Sequence, residues 1–285
     1  MKNVKNIEGM KNMKYISKEL TSEIKMKYGM IKLNKNHNFY FKCDKVVHKR
    51  IQKDAEYQSL RIEYPQQFIG GSNQKIPKKE MRRMVDNMHI ARSWGIKNFD
   101  PNNFEESYIR EIAGKILPKM YDTDIAIYRK CRAIVGGKYS PRVMPSPERF
   151  FHPKVREIPS FVDSLSSKLK DIENSEERNP IDIIVASTYA HFNIARIHPF
   201  NDGNGRTART IQGIILNNYN IPIPIIHAGE RFDYYTHLEN AADGYNMNRA
   251  EDKGDELSEG EQGFYEYIAG KINISLDEII DSCNR

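Results

Sequence analysis

The chain has 285 residues, 39% hydrophobic and 29% charged, which suffices for one large or two small packed domains and excludes general disorder. No apolar run approaches the roughly 18 residues of a membrane helix, and the N-terminus lacks the apolar stretch of a secretory leader, so a cytoplasmic protein with no membrane partner is expected. The net charge of +6 invites a nucleic-acid reading. Residues 1–50, however, hold 13 Lys and Arg against 4 Asp and Glu, and the remaining chain holds 31 against 34. The basic excess therefore belongs to an N-terminal extension, residues 1–50, and the body of the protein is residues 51–285. Cys43, Cys131 and Cys283 lie far apart with no C-x-x-C pair, so neither a disulfide framework nor a structural zinc site is expected.

Residues 1–50 show only weak helical patterning. Val46, Val47, Ile51, Ala55 and Ile62 predict a helix over 45–63, stopped by Pro65. Residues 64–78 read as a loop, and 78–94 and 102–117 as helices. Ile134 and Val135 running into Gly136-Gly137 predict a short hairpin between 134 and 142. Helical spacing returns over 158–172, and 171–179 is a charged loop. Residues 180–195 form a strong helix, with Pro180 suited to its first position and Asp182 to its first turn. Helices follow over 207–216, 231–242 and 263–280, with the acidic tract 251–261 read as a solvated loop. The fold class is mainly α, a helical bundle with one β-hairpin.

The chemistry concentrates in residues 198–209, HPFNDGNGRTAR. A strong apolar helix ends before this segment and another begins inside it. Gly203-Asn204-Gly205 can turn successive backbone N–H groups to one side, and such a nest at a helix N-terminus is an anion site. Arg206 and Arg209 lie three apart on one face of the new helix, and two guanidiniums beside a nest suit a polyphosphate. Asp202 would repel that anion unless a hard divalent cation such as Mg²⁺ lay between them. His198 stands at the mouth of the site, where a general base belongs, and Phe200 is expected to point into the core. A single histidine near a helix end is usually structural, and a lone G-x-G is a common turn; the combination carries the reading.

This segment resembles the signature of Fic-domain proteins, HxFx(D/E)GNGRxxR, at all eight specified positions. The stretch YRKCRAIVGGKYSP at 128–141 looks like the family's flap hairpin. IPIPII at 221–226, followed by Arg231, Tyr234 and Tyr235, looks like the segment after its motif. The resemblance spans roughly residues 55–275 and implies a Fic fold that transfers AMP from ATP to a Ser, Thr or Tyr hydroxyl of a target protein, or of the chain itself. Carried over, His198 deprotonates the hydroxyl and Asp202 holds Mg²⁺. Gly203, Asn204 and Gly205 cradle phosphates, while Arg206 and Arg209 bind the β- and γ-phosphates. Val135, Gly136, Gly137 and Lys138 of the flap register the target by strand addition, and Tyr234 and Tyr235 lie on the adenine side. Ala242 stands where some relatives carry Asn.

Many Fic proteins are restrained by a helix with the pattern (S/T)xxxE(G/N), whose glutamate pairs with the second motif arginine. Ser59–Glu63 and Ser107–Glu111 both fit S-x-x-x-E. Glu63 is the better candidate, because it closes a helix and lies 135 residues before His198, as in relatives with an N-terminal inhibitory helix, here about 54–64. Tyr64 departs from the family's Gly or Asn, and a loosened helix end with partial inhibition is expected. Two other readings stand beside AMP transfer. One keeps the fold with another donor such as UMP; Gly205, where kinase-type relatives have Lys, argues against phosphate transfer. The other is a non-catalytic, nucleotide-regulated binding module. Only 76 residues follow Arg209, leaving no room for a separate DNA-binding domain, so no nucleic-acid partner is expected. Homo-oligomerisation is left open.

Overall fold

The computed structural model describes residues 15–34, 38–64, 77–118, 120, 125–133, 152–173, 179–251 and 256–284. Among these, nine α-helices and three short 3₁₀ turns account for the regular structure, with no strand. The helices are α1 (Lys18–Asn34), α2 (Asn38–Glu63), α3 (Lys78–Asn98), α4 (Glu106–Ile116), α5 (Ile158–Glu173), α6 (Pro180–Ile197), α7 (Asn204–Asn218), α8 (Arg231–Ala250) and α9 (Glu259–Cys283). The expected hairpin, with Val135, Gly136, Gly137 and Lys138, lies outside the described residues.

Helices α6 and α7 form the centre. Of the 18 residues of α6, 13 are buried, because its sequence is apolar on nearly every side and can satisfy that only by being surrounded. Its start follows the sequence: Asn179 caps it by accepting from the Ile181 amide at 3.0 Å, with Pro180 in the first turn. Around this pair pack α3 and α4 against α7, α5 against α6, and α8 against α9. The segment 221–226 crosses the core fully buried, and Ser275 donates to the Ile223 carbonyl at 2.9 Å. Polar backbone in the interior thus finds a partner.

Three boundaries differ from expectation. Helix α2 begins at Asn38, seven residues before the expected Lys45, so a division of the chain at residue 50 would cut a continuous helix. Helix α7 begins at Asn204, inside the glycine-rich segment. Helix α9 begins at Glu259 within the acidic tract: Ser258 Oγ accepts from the Glu261 amide at 3.1 Å, and Glu261 accepts from the Ser258 amide at 3.0 Å. That reciprocal cap buries Glu261, which the solvated-loop reading of 251–261 did not anticipate.

The described part of the N-terminal fifty residues packs into the common core. Tyr15, Ile16, Ile24, Ile31 and Val47 are buried with the rest, α1 lies on α9, and Ser17 Oγ donates to Glu266 at 2.5 Å. Ile24 is 1% exposed. Ile24→Ala should therefore lower unfolding free energy by about 2–5 kcal/mol in urea denaturation. A detached extension would leave it within about 0.5 kcal/mol of wild type.

Candidate active site

The chain reverses between α6 and α7 in six residues, and each bond in that turn serves the site. His198 caps α6 in the left-handed region (φ 51°, ψ 57°), its amide donating to the Ile194 carbonyl at 3.0 Å. Gly203 opens α7 at φ 77°, a conformation glycine adopts without strain. Between them, Asn204 holds both polar groups of Phe200: Oδ1 accepts from the Phe200 amide and Nδ2 donates to the Phe200 carbonyl, each at 2.8 Å. Phe200 is wholly buried as the loop's anchor. The Asn204 side chain is thus committed to loop closure, and only its backbone amide belongs to the helix end. No side chain caps α7, whose first internal bond runs from the Thr207 amide to the Gly203 carbonyl at 2.8 Å. The amides of residues 204–206 therefore point out of the helix end.

That end is occupied by a carboxylate. Glu63, the last residue of α2, accepts from Arg209 Nη2 at 2.7 Å. A methyl group added at Gly205 would lie 2.5 Å from Glu63 Oε1, so glycine here lets the anion come down onto the helix start. Arg209 also donates from Nε to Ser59 Oγ at 2.7 Å, from Nη2 to the Ser59 carbonyl at 3.3 Å and from Nη1 to the Tyr234 hydroxyl at 3.3 Å. Burial pushes the Glu63 carboxyl up, but Arg209 and Arg206 outweigh it and hold the group below the usual carboxylate range. Tyr64, expected to loosen or re-aim the end of α2, follows Glu63 directly. Its amide continues the helix by donating to Leu60 at 3.0 Å, and its hydroxyl accepts from Arg206 Nη2 at 3.3 Å. Arg206, 1% exposed, also reaches both oxygens of Asp202 at 3.1 Å.

His198 is partly buried, and burial lowers its pKa below the ordinary histidine value despite Glu63 and Asp202 nearby. Burial thus favours its neutral form. Nδ1 lies 3.4 Å from the Ala195 carbonyl; a proton there leaves Nε2 with its lone pair outward, the state a general base needs. Its ring lies against that of His152, with centroids 4.6 Å apart.

Tyr234, expected in the nucleotide pocket, is 1% exposed. Its hydroxyl donates to His191 Nε2 at 2.9 Å, and His191 Nδ1 donates to Gln212 Oε1 at 2.7 Å. Burial lowers the His191 pKa to about 3, so this neutral chain supports Arg209 from beneath. Tyr235 is partly buried beside it, rings 5.2 Å apart. Sequence reasoning gave no role to His191, His152 or Arg129: Arg129 fell inside the flap-like stretch 128–141 without one, and a lone histidine in an apolar helix carries no signal of its partners. Among the described residues no group of three or more His, Cys, Asp or Glu is arranged to hold a metal. Asp202, half exposed beside the helix end, is a single hard donor, which fits an ion carried mostly by substrate phosphates and water, as Mg²⁺ is.

A left-handed turn, an uncapped helix start, the buried Arg206 and the largely buried Arg209 bring cationic groups and helix amides to one place, an arrangement that suits an anion. Residues 103–216 match the Fic/DOC family, and the chain carries a Fic domain there. Over 136 residues it is 34% identical to a protein adenylyltransferase Fic of Nematostella vectensis, covering 48% of this chain and 28% of that protein. It is 33% identical over 132 residues to protein adenylyltransferase fic-1 of Caenorhabditis elegans, covering 45% and 25%. The chain thus spans about a quarter of the length of these curated relatives. The fold matches a Fic domain-containing signalling protein from Bacteroides thetaiotaomicron (TM-score 0.72, 21% identity, 92% of this chain and 97% of that one). It also matches a Fic family protein from Desulfovibrio desulfuricans (TM-score 0.64, 18% identity, 95% and 76%).

The Glu63–Arg209 contact has a pH signature. Because the folded pKa of Glu63 is depressed, its stabilisation is complete above the unfolded carboxylate value and disappears as pH falls through the folded value. Glu63→Gln should cost about 1–3 kcal/mol at pH 7, and the difference from wild type should vanish at strongly acidic pH in parallel calorimetric scans.

Proposed function

We propose that this protein transfers AMP from ATP to a hydroxyl side chain of a protein, and that Glu63 restrains it. The observation that carries the reading is the carboxylate of Glu63 lying on Arg209 and over Gly205. The site already holds an anion from its own chain, at the place where the resemblance puts the γ-phosphate.

Binding of the triphosphate then amounts to exchange of anions. Arg209 gives up Glu63 for the outermost phosphate, Arg206 turns from Tyr64 and Asp202 to the β-phosphate, and the amides of 204–206 face the phosphate oxygens. Asp202, released by Arg206, would hold Mg²⁺, which supplies charge neutralisation on the phosphates. His198 Nε2 accepts the proton of the incoming Ser, Thr or Tyr hydroxyl. The oxygen forms a bond to the α-phosphorus as the α–β bridge breaks, and pyrophosphate leaves with its charge matched by the two arginines. The flap, with Val135, Gly136, Gly137 and Lys138, would register the target segment beside the nucleotide. Partners are then ATP and a target with an exposed hydroxyl, the chain itself included.

With α-labelled ATP and Mg²⁺, Glu63→Gly should label protein faster than wild type by about 10–100-fold, the equivalent of one charge-assisted bond. His198→Ala in that background should cut labelling by about 10²–10⁴-fold. With the pKa of the partly buried His198 depressed, the rate of Glu63→Gly should be flat through pH 7 and fall only on the acid side of the ordinary histidine value. Absence of label from Glu63→Gly, on itself and in lysate, with label appearing instead from UTP, would favour a different nucleotide donor.

A further inference from the structure

A general base must present one ring nitrogen in one direction, yet His198 sits where its own chain holds it poorly. It has left the helix, adopts a left-handed backbone disfavoured for residues with a side chain, and makes one long ring bond at 3.4 Å. Such a conformation persists only when the surroundings over-determine it.

Arg129 supplies that determination. It is 2% exposed, and its guanidinium donates to three carbonyls from three stretches of chain: His198 at 2.7 Å, Pro153 at 2.7 Å and Cys131 at 2.9 Å. Its amide donates to the Pro199 carbonyl at 2.8 Å. The same residue thus holds two successive carbonyls, those of His198 and Pro199, from side chain and main chain. The grip on Pro153 fixes the neighbouring His152, whose Nδ1 donates to the Arg196 carbonyl at 2.7 Å and whose ring lies against His198. Among the described residues no carboxylate pairs with Arg129. Its donors are spent on backbone, where an ordinary buried arginine would have an acid. Lysine cannot replace it, since one ammonium cannot span three carbonyls set in a fork.

We propose that Arg129, with His152 pressed against the ring, is the positioning residue of His198: it fixes the left-handed turn and hence the direction of the imidazole. This rests on the reading of His198 as the base for AMP transfer. Arg129 itself touches no substrate.

The test uses the full chain with Glu63→Gly as parent, so that the nucleotide site is free. Adding Arg129→Lys should lower kcat for AMP transfer by about 10–100-fold, the scale of a misplaced reacting group. The Kd for ATP with Mg²⁺ should stay within about twofold, because the helix end, Arg206 and Arg209 are untouched. His152→Leu, which leaves every Arg129 bond in place, should lower kcat by about threefold or more with the same unchanged Kd. Nitrogen NMR of His198 should show one tautomer in the parent and a mixture in Arg129→Lys. Parent-like kcat and a single tautomer in Arg129→Lys would overturn the proposal, as would loss of ATP affinity in step with loss of rate. If Arg129→Lys fails to fold, His152→Leu decides alone: parent-like kcat overturns, reduced kcat at unchanged Kd supports. A parent that transfers no nucleotide defeats the reading of the activity, and the tautomer comparison then still decides whether Arg129 orients His198.

Discussion

Arg209 is a guanidinium with almost no water around it, and the resting architecture of the site follows from that. Its side chain is 10% exposed, and a charge so placed is tolerated only with partners on every side. They come from two directions. Ser59 and Glu63 reach it from α2, and Tyr234 from α8. The first pair ties the end of α2 to the start of α7 across some 146 residues of sequence. Tyr234 carries the demand deeper, since its hydroxyl is then answered by His191 and Gln212. Of these partners one carries charge: Ser59 and Tyr234 hold the arginine with neutral groups, and Glu63, lying over Gly205, answers its charge.

The six-residue reversal makes this arrangement geometrically available. Two left-handed residues, His198 and Gly203, bracket it, and Asn204 closes it onto Phe200 with a donor and an acceptor at once. Aspartate has no donor for the Phe200 carbonyl and alanine has neither, so an amide here is a matter of hydrogen-bond inventory. The turn delivers the end of one buried helix and the start of the next to the same spot: a carbonyl end beside the imidazole, an amide end beside Glu63. The two polarities suit a proton acceptor and an anion holder respectively.

Much of this was legible in the sequence because the signals were local. Pro180 and Asp182 marked the start of α6, and 198–209 identified the histidine, nest and arginines as one segment. The S-x-x-x-E of α2 was readable too, and Ser59 and Glu63 both meet Arg209. What escaped were features decided by partners. The start of α7 was placed three residues late because Gly203 reads as loop until its left-handed cap is seen. The start of α9 was obscured by charge, although Ser258 and Glu261 have the spacing of a reciprocal cap. Residues 1–50 read as a basic extension because basic residues outnumber acidic ones there and the apolar positions are scattered, and nothing in the sequence shows that Ile24, Ile31 and Val47 are buried against the rest of the chain. The role of Arg129 had no signal, although the residue lies in the flap-like stretch 128–141, since bonds to the carbonyls of Cys131, Pro153 and His198 leave no pattern in a sequence.

The charge of the chain takes on a different meaning from these contacts. A net +6 is a property of the whole, but the arginines that matter are Arg206, Arg209 and Arg129, all shielded from bulk solvent and each used differently. Arg129 is spent on carbonyl oxygens and contributes rigidity. Arg206 shares its charge with Asp202 and with the hydroxyl of Tyr64. Arg209 keeps a full carboxylate. Lysines on the surface of α1 and α2 are screened within about 10 Å at ordinary salt and add little to any of these. The basicity of the protein is therefore not what makes the site anion-seeking. Burial does that, by removing the water that would otherwise satisfy the two guanidiniums, so that Asp202 answers Arg206 and Glu63 answers Arg209.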